Sequence, residues 1–281
     1  MENRKVWFVT GASKGLGLAL VQKLLANGFA VAATSRSIEE LKTAVGSTER
    51  SFLPLSVSLT DERSVGKAIA DTLATFGRID VVVNNAGYGL AGSLEELSDA
   101  ESRTNFDVNV FGTLNVIRAV MPHLRAQGSG HILNISSIAG ITGAFPGFGI
   151  YCATKFAVNG LSESLAAEVA DFGVKVTIVE PGYFRTDFLT AGSFVTPKNG
   201  IAAYQKVRDS EAVHQQQING QQPGDPAKAA DAMIRIAGEA NPPLHLVLGE
   251  DALGLANSKI AAFSTELENW KPVSISTNFD A

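Results

Sequence analysis

Short apolar runs rich in β-branched residues recur along the chain and alternate with longer segments of helical periodicity. Most of these runs are apolar at consecutive positions rather than at every second position, which is typical of strands buried on both faces of a parallel sheet. The runs predicted as strands are residues 6–10, 30–34, 51–57, 81–84, 131–136, 174–179 and 244–248. The clearest helical segments are residues 16–26, 64–76, 153–170 and 227–237.

This alternation of strand and helix predicts an α/β fold with a doubly wound, parallel, seven-stranded sheet of the Rossmann type. The sequence shows no internal repeat and no linker-like stretch. We therefore expect residues 1–281 to form a single domain.

Two regions depart from the alternation. Residues 187–226 hold Gly192, Pro197 and clustered glutamines but no strand pattern, so they are either a substrate lid or a loosely ordered surface loop. The C-terminal extension, residues 250–281, offers one amphipathic helix at 252–267 and then an irregular end.

Composition and charge exclude several classes of protein. The apolar content of 45% and the net charge of −5 exclude a disordered chain. A single cysteine, Cys152, excludes a disulfide scaffold and is interpreted as a small buried residue. The chain has neither long basic runs nor an apolar run long enough to span a bilayer, so we expect no nucleic-acid partner and no membrane span. The N-terminal apolar stretch is too short for a signal peptide, so we expect a cytoplasmic protein.

A glycine-rich turn joins the first predicted strand to the first predicted helix. Glycines at such a turn let backbone N–H groups and the helix N-terminus approach a pyrophosphate. The spacing is G-x-x-x-G-x-G rather than the common G-x-G-x-x-G. The predicted cofactor contacts in this turn are Gly11, Ser13, Lys14, Gly15, Leu16 and Gly17.

The end of the second strand predicts which cofactor binds. An acidic residue at this place accepts hydrogen bonds from a free ribose 2′-hydroxyl, but the first acid here is Glu39. Arg36 offers a planar donor fork that suits a phosphate, and Lys14 adds a second positive charge. We therefore predict NADP(H), with NAD(H) as the alternative in which both cations are ordinary surface residues.

Two further strand ends carry candidate chemistry. The fourth strand leads into Asn85, Ala86 and Gly87, which would form the second wall of the cofactor crevice. The fifth strand is followed by Tyr151 and Lys155, which lie at i and i+4 on one helix face. A nearby ammonium group lowers the pKa of a phenol and makes it useful in acid–base chemistry. The four histidines lack ligand spacing, so no metal site is predicted.

Together these motifs resemble those of the short-chain dehydrogenase/reductase family over residues 4–250. The sequence is most similar to reductase-like members that carry a Glu-Pro-Gly-Tyr-Phe-Arg-Thr-Asp segment, here residues 180–187. The positions that match the family's active site are Asn109, Ser137, Tyr151 and Lys155, and those that match its nicotinamide-contacting segment are Pro181, Gly182 and Thr186. Ser136 is a lesser candidate for the serine. One departure is Ser58, which stands where many relatives have an adenine-binding aspartate; Asp61 is interpreted as a helix N-cap.

The resemblance implies a mechanism and an assembly. NADPH would deliver hydride to a carbonyl carbon, Tyr151 would donate the proton, and Lys155 would lower the phenol's pKa and bind the nicotinamide ribose. Ser137 would polarise the carbonyl, and Asn109 would hold a water that links Lys155 to solvent. The family also implies a homodimer or homotetramer formed through helices such as 153–170.

The substrate is predicted from the walls that follow the catalytic strand ends. These walls are apolar and carry few charges, so we expect a hydrophobic ketone or aldehyde, with the reverse oxidation of the alcohol also open. The predicted substrate contacts are Ser137, Ala139, Phe145, Tyr183, Phe184 and Phe188. Two alternatives remain: an NAD-dependent alcohol or hydroxysteroid-type dehydrogenase, and a non-catalytic NADP(H)-sensing protein, for which a complete Ser137/Tyr151/Lys155 set has no use.

Overall fold

The computed structural model describes residues 4–190 and 192–279. Within these residues nine strands form, and seven of them build one parallel sheet. The strands are β1 (Val6–Val9), β2 (Ala30–Ser35), β3 (Phe52–Ser56), β4 (Val81–Asn84), β5 (Gly89–Leu90), β6 (Gly130–Ile135), β7 (Val174–Pro181), β8 (Phe194–Val195) and β9 (His245–Leu248). The helices are α1 (Gly15–Ala26), α2 (Ile38–Val45), α3 (Glu62–Phe76), α4 (Asp99–Phe106), α5 (Gly112–Gln127), α6 (Gly149–Glu168), α7 (Gln205–Ala212), α8 (Pro226–Ile236) and α9 (Glu250–Ile275).

The strand order in the large sheet is β3-β2-β1-β4-β6-β7-β9. All seven strands predicted from the apolar runs are present, so the predicted α/β fold is confirmed. The chain order reverses between β1 and β4, which leaves a crevice at the carboxyl ends of these two strands. This crevice is where the candidate site lies.

Each face of the sheet is covered by helices that bury their apolar sides. One core contains Leu20 and Leu24 of α1 together with Met233 of α8. The opposite core contains Ile69 of α3 and Val116 of α5. Because both faces are covered, the strands are apolar at consecutive positions, as the sequence pattern indicated.

The two irregular regions are more ordered than expected. Within the segment 187–226, β8 pairs in parallel with β5, and α7 continues into a π-helical turn, Val213–Ile218. The expectation that this segment holds no strand is therefore wrong. The expected irregular end of the chain is also wrong, because α9 continues to Ile275. Pro272 lies inside the last turn of α9, where it removes one backbone donor but does not end the helix.

Candidate active site

The glycine-rich turn packs directly against the end of β4. Gly11 has a φ of +64°, and a Cβ there would stand 2.7 Å from the Cα atom of Ala86. The Asn85 amide group donates to the carbonyl oxygens of Thr10 and Gly11 at 3.0 and 2.9 Å. Only glycine combines this conformation with this close approach, so the contact fixes the first wall of the crevice against the second.

The N-terminus of α1 faces the crevice. Among the described residues no side chain caps this helix, so its first N–H groups remain available for an anion. A Cβ at Gly15 would lie 3.7 Å from the Cβ of Thr186, which comes from the segment after β7. Thr186 therefore lies across the crevice from the turn.

A cavity of about 810 Å³ runs along this crevice and continues past α6. It is lined by nearly all of the predicted cofactor and substrate residues. The cofactor candidates that line it are Gly11, Ser13, Lys14, Gly15, Leu16, Arg36, Asn85, Ala86, Gly87, Tyr151, Lys155, Pro181, Gly182 and Thr186. The substrate candidates that line it are Ser137, Ala139, Phe145, Tyr183, Phe184 and Phe188.

Two predicted site residues, Gly17 and Asn109, lie behind the cavity wall instead of lining it. A Cβ at Gly17 would collide with the side chain of Asn85 and would stand 2.5 Å from the carbonyl oxygen of Gly11. The structure therefore gives Gly17 a packing role beneath the turn, and the predicted direct cofactor contact is not what the geometry shows.

Asn109 sits in a π-helical turn, Asp107–Phe111, between α4 and α5. Its Oδ1 atom accepts from the backbone N–H of Tyr88 at 3.0 Å, and its amide group donates to the Tyr88 carbonyl and to the Thr154 hydroxyl. Asn109 thus ties the turn after β4 to α6, the helix that carries Tyr151 and Lys155.

The end of the cavity that is predicted to hold the adenosine ribose, called the ribose end below, is positively charged. The exposed side chains of Lys14 and Arg36 line it, and in the described part of the chain neither forms an ion pair. Glu39, the first acid after β2, is paired with Lys42 at 3.2 Å. Ser58 lines the neighbouring wall, where its hydroxyl lies 3.2 Å from that of Thr60.

The Asp61 carboxylate accepts from the backbone N–H of Arg63 at 2.9 Å. The predicted N-cap of α3 is therefore confirmed.

Tyr151 and Lys155 project one turn apart from α6, and both are buried. The Lys155 Nζ atom lies 5.7 Å from the centre of the Tyr151 ring and donates to the carbonyl oxygen of Ile135 at 2.9 Å. Burial lowers the pKa of Lys155 to about 8. Burial also raises the pKa of Tyr151, and a hydrogen bond with Ser137 opposes this rise.

The predicted effect of Lys155, a lowering of the phenol's pKa, stays a prediction. Burial is the largest influence on the pKa of Tyr151 in this structure, and the net shift is upward. The phenol is consequently protonated at neutral pH, which is the state that a proton donor needs.

The structure distinguishes the two serine candidates. The Ser137 hydroxyl accepts from the backbone N–H of Ala139 at 3.1 Å and contacts Tyr151. The buried Ser136 hydroxyl donates instead to the carbonyl oxygen of Lys155 at 3.3 Å. Ser137 is therefore the serine that stands beside the phenol.

The wall beyond Tyr151 is aromatic. The ring centres of Tyr151 and Phe188 are 6.0 Å apart, and Phe148 and Phe194 pack behind them. Cys152 is buried in the same cluster, as predicted, and burial raises its pKa to about 11. This thiol is therefore a packing residue at neutral pH.

Two polar residues of this wall, His214 and Gln222, were missed by sequence reasoning. The Tyr183 hydroxyl lies 2.8 Å from His214 Nε2, while His214 Nδ1 lies 2.7 Å from the Ser210 carbonyl oxygen. Since a carbonyl only accepts, Nδ1 carries the proton and Nε2 accepts from Tyr183. Burial lowers the pKa of His214, which agrees with a neutral ring. His214 directly precedes the glutamine-rich stretch and Gln222 is its last residue, and the sequence has no periodic signal there.

A buried carboxylate supports the site from behind. Glu180, near the end of β7, accepts from the Asn159 amide group at 2.8 Å and lies 3.1 Å from His245 Nδ1. The Asn159 amide group also donates to the carbonyl oxygen of Gly140, in the turn after Ser137. Burial raises the pKa of Glu180, and the contact with His245 opposes this. Glu180 and Asn159 thus join β7, α6 and the Ser137 turn.

Comparison with known proteins identifies the class. The profile of the short chain dehydrogenase family matches residues 5–193. Oxidoreductase BOA17 of Botryotinia fuckeliana is 39% identical over 97% of this chain and 99% of its own length. The chain belongs to the short-chain dehydrogenase family, and it is an oxidoreductase of that family.

Two solved structures extend this comparison. A short-chain dehydrogenase from Streptomyces avermitilis has a TM-score of 0.90 and 40% identity, covering 99% of this chain and 100% of its own. The structure of ElxO with NADP bound has a TM-score of 0.74 and 30% identity, covering 90% of this chain and 100% of its own.

The described residues form neither a membrane-spanning helix nor a metal-binding cluster. None of their helices combines the length and the hydropathy that crossing a bilayer requires. Within the same residues, no group of three or more His, Cys, Asp or Glu side chains is arranged to hold a metal ion.

Proposed function

We propose that this protein is an NADP(H)-dependent carbonyl reductase that acts on a hydrophobic ketone or aldehyde. The observation that carries the proposal is the juxtaposition of Ser137, Tyr151 and Lys155 with an aromatic wall in one cavity, which is continuous with the glycine-rich turn. The same groups serve the reverse oxidation of an alcohol.

The residues of the crevice fit a dinucleotide. The open N–H groups of α1 and the close approach at Gly11 suit a pyrophosphate, and Thr186 and Gly182 suit the nicotinamide end. When bound, NADPH supplies the hydride. Lys14 and Arg36 favour NADPH over NADH because they would neutralise a 2′-phosphate.

Tyr151 donates its proton to the oxygen of the substrate carbonyl, because burial keeps the phenol protonated until a negative charge develops beside it. Ser137 donates a hydrogen bond to the same oxygen and stabilises the charge as it forms. Lys155 places an ammonium beside the phenol and stabilises the phenolate that remains. Asn109 holds the turn after β4 and α6 in register, and a water beside it would return the proton to Lys155.

The segment 187–226 serves as the substrate lid. Phe188, Leu189 and Val195 of this segment line the cavity. The Arg208 guanidinium holds α7 in place by two bonds of 2.9 and 2.7 Å to the buried Glu96 carboxylate. Opening of the lid would therefore involve the residues before α7. In its closed position the lid would exclude water from the Tyr151 phenol.

The test follows the oxidation of NADPH and NADH with a panel of aromatic, aliphatic and steroid-like ketones. We expect turnover with apolar ketones and NADPH, and a loss of about 10²–10⁴-fold in kcat for Tyr151→Phe with NADPH affinity retained. Cys152→Ser, at the adjacent buried position, is the matched control and should keep most of the activity. Unchanged turnover in Tyr151→Phe would remove Tyr151 from the mechanism.

A further inference from the structure

The Gln222 side chain is buried in the cavity wall without a hydrogen-bond partner. The residue is 1% exposed and lines the cavity of about 810 Å³. Neither its Oε1 atom nor its Nε2 atom is bonded to any of the described residues. Buried side-chain amides in folded proteins nearly always find partners, so an amide with an open donor and an open acceptor indicates a partner that comes from outside the chain.

Other described residues with an unpaired buried side-chain atom differ from Gln222 in two respects. Each of them leaves one such atom unpaired, whereas Gln222 leaves two. None of them lines the cavity. Within the described chain, Gln222 is therefore the position where an unpaired buried amide borders the space that a ligand would occupy.

The backbone around this amide is held in place. The Arg185 guanidinium donates to the Gln222 carbonyl oxygen from Nε at 3.2 Å and from Nη2 at 3.0 Å. Two residues further along, the Gly224 N–H donates to the Tyr183 carbonyl oxygen at 3.0 Å, and the Gly224 carbonyl accepts from the Arg185 N–H at 2.8 Å. Because the backbone is fixed before a ligand arrives, less conformational entropy is lost on binding. Arg185 itself does not line the cavity, so its charge lies behind the wall.

The chemistry of this wall restricts what the amide can bind. A glutamine amide offers a donor and an acceptor side by side but no charge, and the Tyr183–His214 pair in the same wall is neutral as well. A charged ligand group buried against this amide would lack a counter-charge, which is unfavourable. A carboxamide of the ligand can pair with both atoms of the amide, and a hydroxyl can pair with either.

We propose that Gln222 recognises a neutral polar group, an amide or a hydroxyl, on the hydrophobic substrate. This inference rests on the proposed function, because it assigns the amide to the same ketone that Tyr151 would protonate. Gln222 belongs to the lid segment, as does His214, whose ring centre lies 4.6 Å from that of Phe148 in the aromatic wall. Thr186 would serve the nicotinamide end instead. The substrate would thus carry its carbonyl beside the phenol and a second polar group beside the lid.

The experiment measures NADPH oxidation with two series of ketones that differ in length. One series is acetophenone with its hydroxy and acetamido derivatives at each ring position, and the other is 4-acetylbiphenyl with the same substituents on its outer ring. For the wild type we expect the best substituted ketone of a series to exceed its parent by about 10-fold or more in kcat/KM. Gln222→Leu should bring this ratio to about 1, because leucine is of similar size and has no polar atom. Gln221→Leu makes the same change at the exposed neighbouring position, which does not line the cavity, and should keep the wild-type ratio.

The Tm of the ligand-free protein separates recognition from a purely structural role. An amide that has no partner in the folded chain adds no hydrogen bond to folding, so Gln222→Leu should keep or raise this Tm. A lower Tm together with equal losses for all ketones overturns the proposal. A wild type without a preference in either series overturns it too, and so does a Gln222→Leu variant that keeps the preference.

Two further measurements keep this inference distinct from the proposed function. If the wild type reduces no ketone, the proposed function fails, and the ratio of the calorimetric Kd values of parent and substituted ketones, measured in the presence of NADP⁺, decides on Gln222 by the same criterion. If Gln222→Leu weakens NADPH binding and leaves the ketone ratio unchanged, the amide binds the nicotinamide carboxamide, and the proposal is overturned.

Discussion

Lys155 carries its ammonium group in a buried position, and burial lowers its pKa from 10.5 to about 8. Below that pH the group is charged, and it loses the charge as the pH rises through about 8. Tyr151 stays protonated over the same range because burial raises its pKa. We therefore predict that kcat for ketone reduction falls as the pH rises above about 8, and that this fall reports Lys155.

The variant that tests this assignment is Lys155→Arg, measured as a pH–rate profile beside the wild type. A guanidinium does not lose its proton in this range, so the alkaline fall should disappear from whatever activity remains. If the variant shows the same fall at the same pH, the titrating group is not Lys155.

We expect Arg36 to govern a different property, the choice between the two nicotinamide cofactors. Replacing it by aspartate introduces a carboxylate at the end of β2, which would repel a 2′-phosphate and accept from a 2′-hydroxyl. We expect Arg36→Asp to lower kcat/KM for NADPH by about 10²-fold and to raise that for NADH. Arg235→Asp makes the same charge change on α8, away from the cavity, and should leave both values unchanged. A wild type that already prefers NADH would contradict the prediction.

Among the secondary-structure elements, the apolar runs predicted the seven strands because the sheet is buried on both faces. In β4, for example, all four residues are buried, and the run Val81-Val82-Val83 is sufficient to identify it. The π-helical turn at Asn109 has no comparable pattern, because it follows from contacts with Tyr88 and Thr154 that are distant in sequence. His214 has no sequence signal for the same reason, because its position in the cavity follows from its contact with Tyr183, which is distant in sequence.

The network behind the site connects three elements, and Glu180 is its centre. In Glu180→Ala the amide of the buried Asn159 loses one acceptor, and we expect a loss of about 1–3 kcal/mol in the free energy of unfolding. Because Asn159 also holds the Ser137 turn, kcat should fall more than KM rises. Both quantities are accessible from urea denaturation and steady-state kinetics.

Glu180→Gln is the matched variant, because it keeps an oxygen for Asn159 without the buried charge. Folding raises the pKa of Glu180, so the protonated carboxyl group contributes stability that is fully present below its unfolded pKa and is lost as the pH rises through its folded pKa and the buried group becomes charged. The glutamine variant should therefore gain stability relative to the wild type as the pH rises through that window. Equal losses in both variants at every pH would show that Asn159 does not depend on the acceptor.

On the scale of the whole molecule, the cofactor crevice divides the sheet into two parts, β3-β2-β1 and β4-β6-β7-β9. The cavity takes its lining from both parts, from Arg36 after β2 to Thr186 after β7. A dinucleotide bound along it would bridge the two parts in the folded state only. A ligand that binds only the folded state raises the free energy of unfolding by RT ln(1 + [L]/Kd), where [L] is the free ligand concentration. This increase is about 2.7 kcal/mol when the ligand is at 100 times its Kd.

We therefore predict that NADPH at 100 times its Kd raises the Tm by about 5–10 °C, since 1 kcal/mol corresponds to about 2–4 °C in a domain of this size class. NADH at the same concentration should give a smaller shift, because it lacks the phosphate that Lys14 and Arg36 would neutralise.

The variant Gly11→Ala should abolish most of the Tm shift with NADPH, because the added Cβ would collide with Ala86. Gly28→Ala is the control: its φ of +78° is equally strained, but a Cβ there meets no other described atom within 4 Å, so it should lower the Tm without changing the shift. Equal shifts with NADPH and NADH would separate cofactor binding from the positive charge at the ribose end. Differential scanning fluorimetry of the wild type and the two variants, each with NADPH and with NADH, decides between these outcomes.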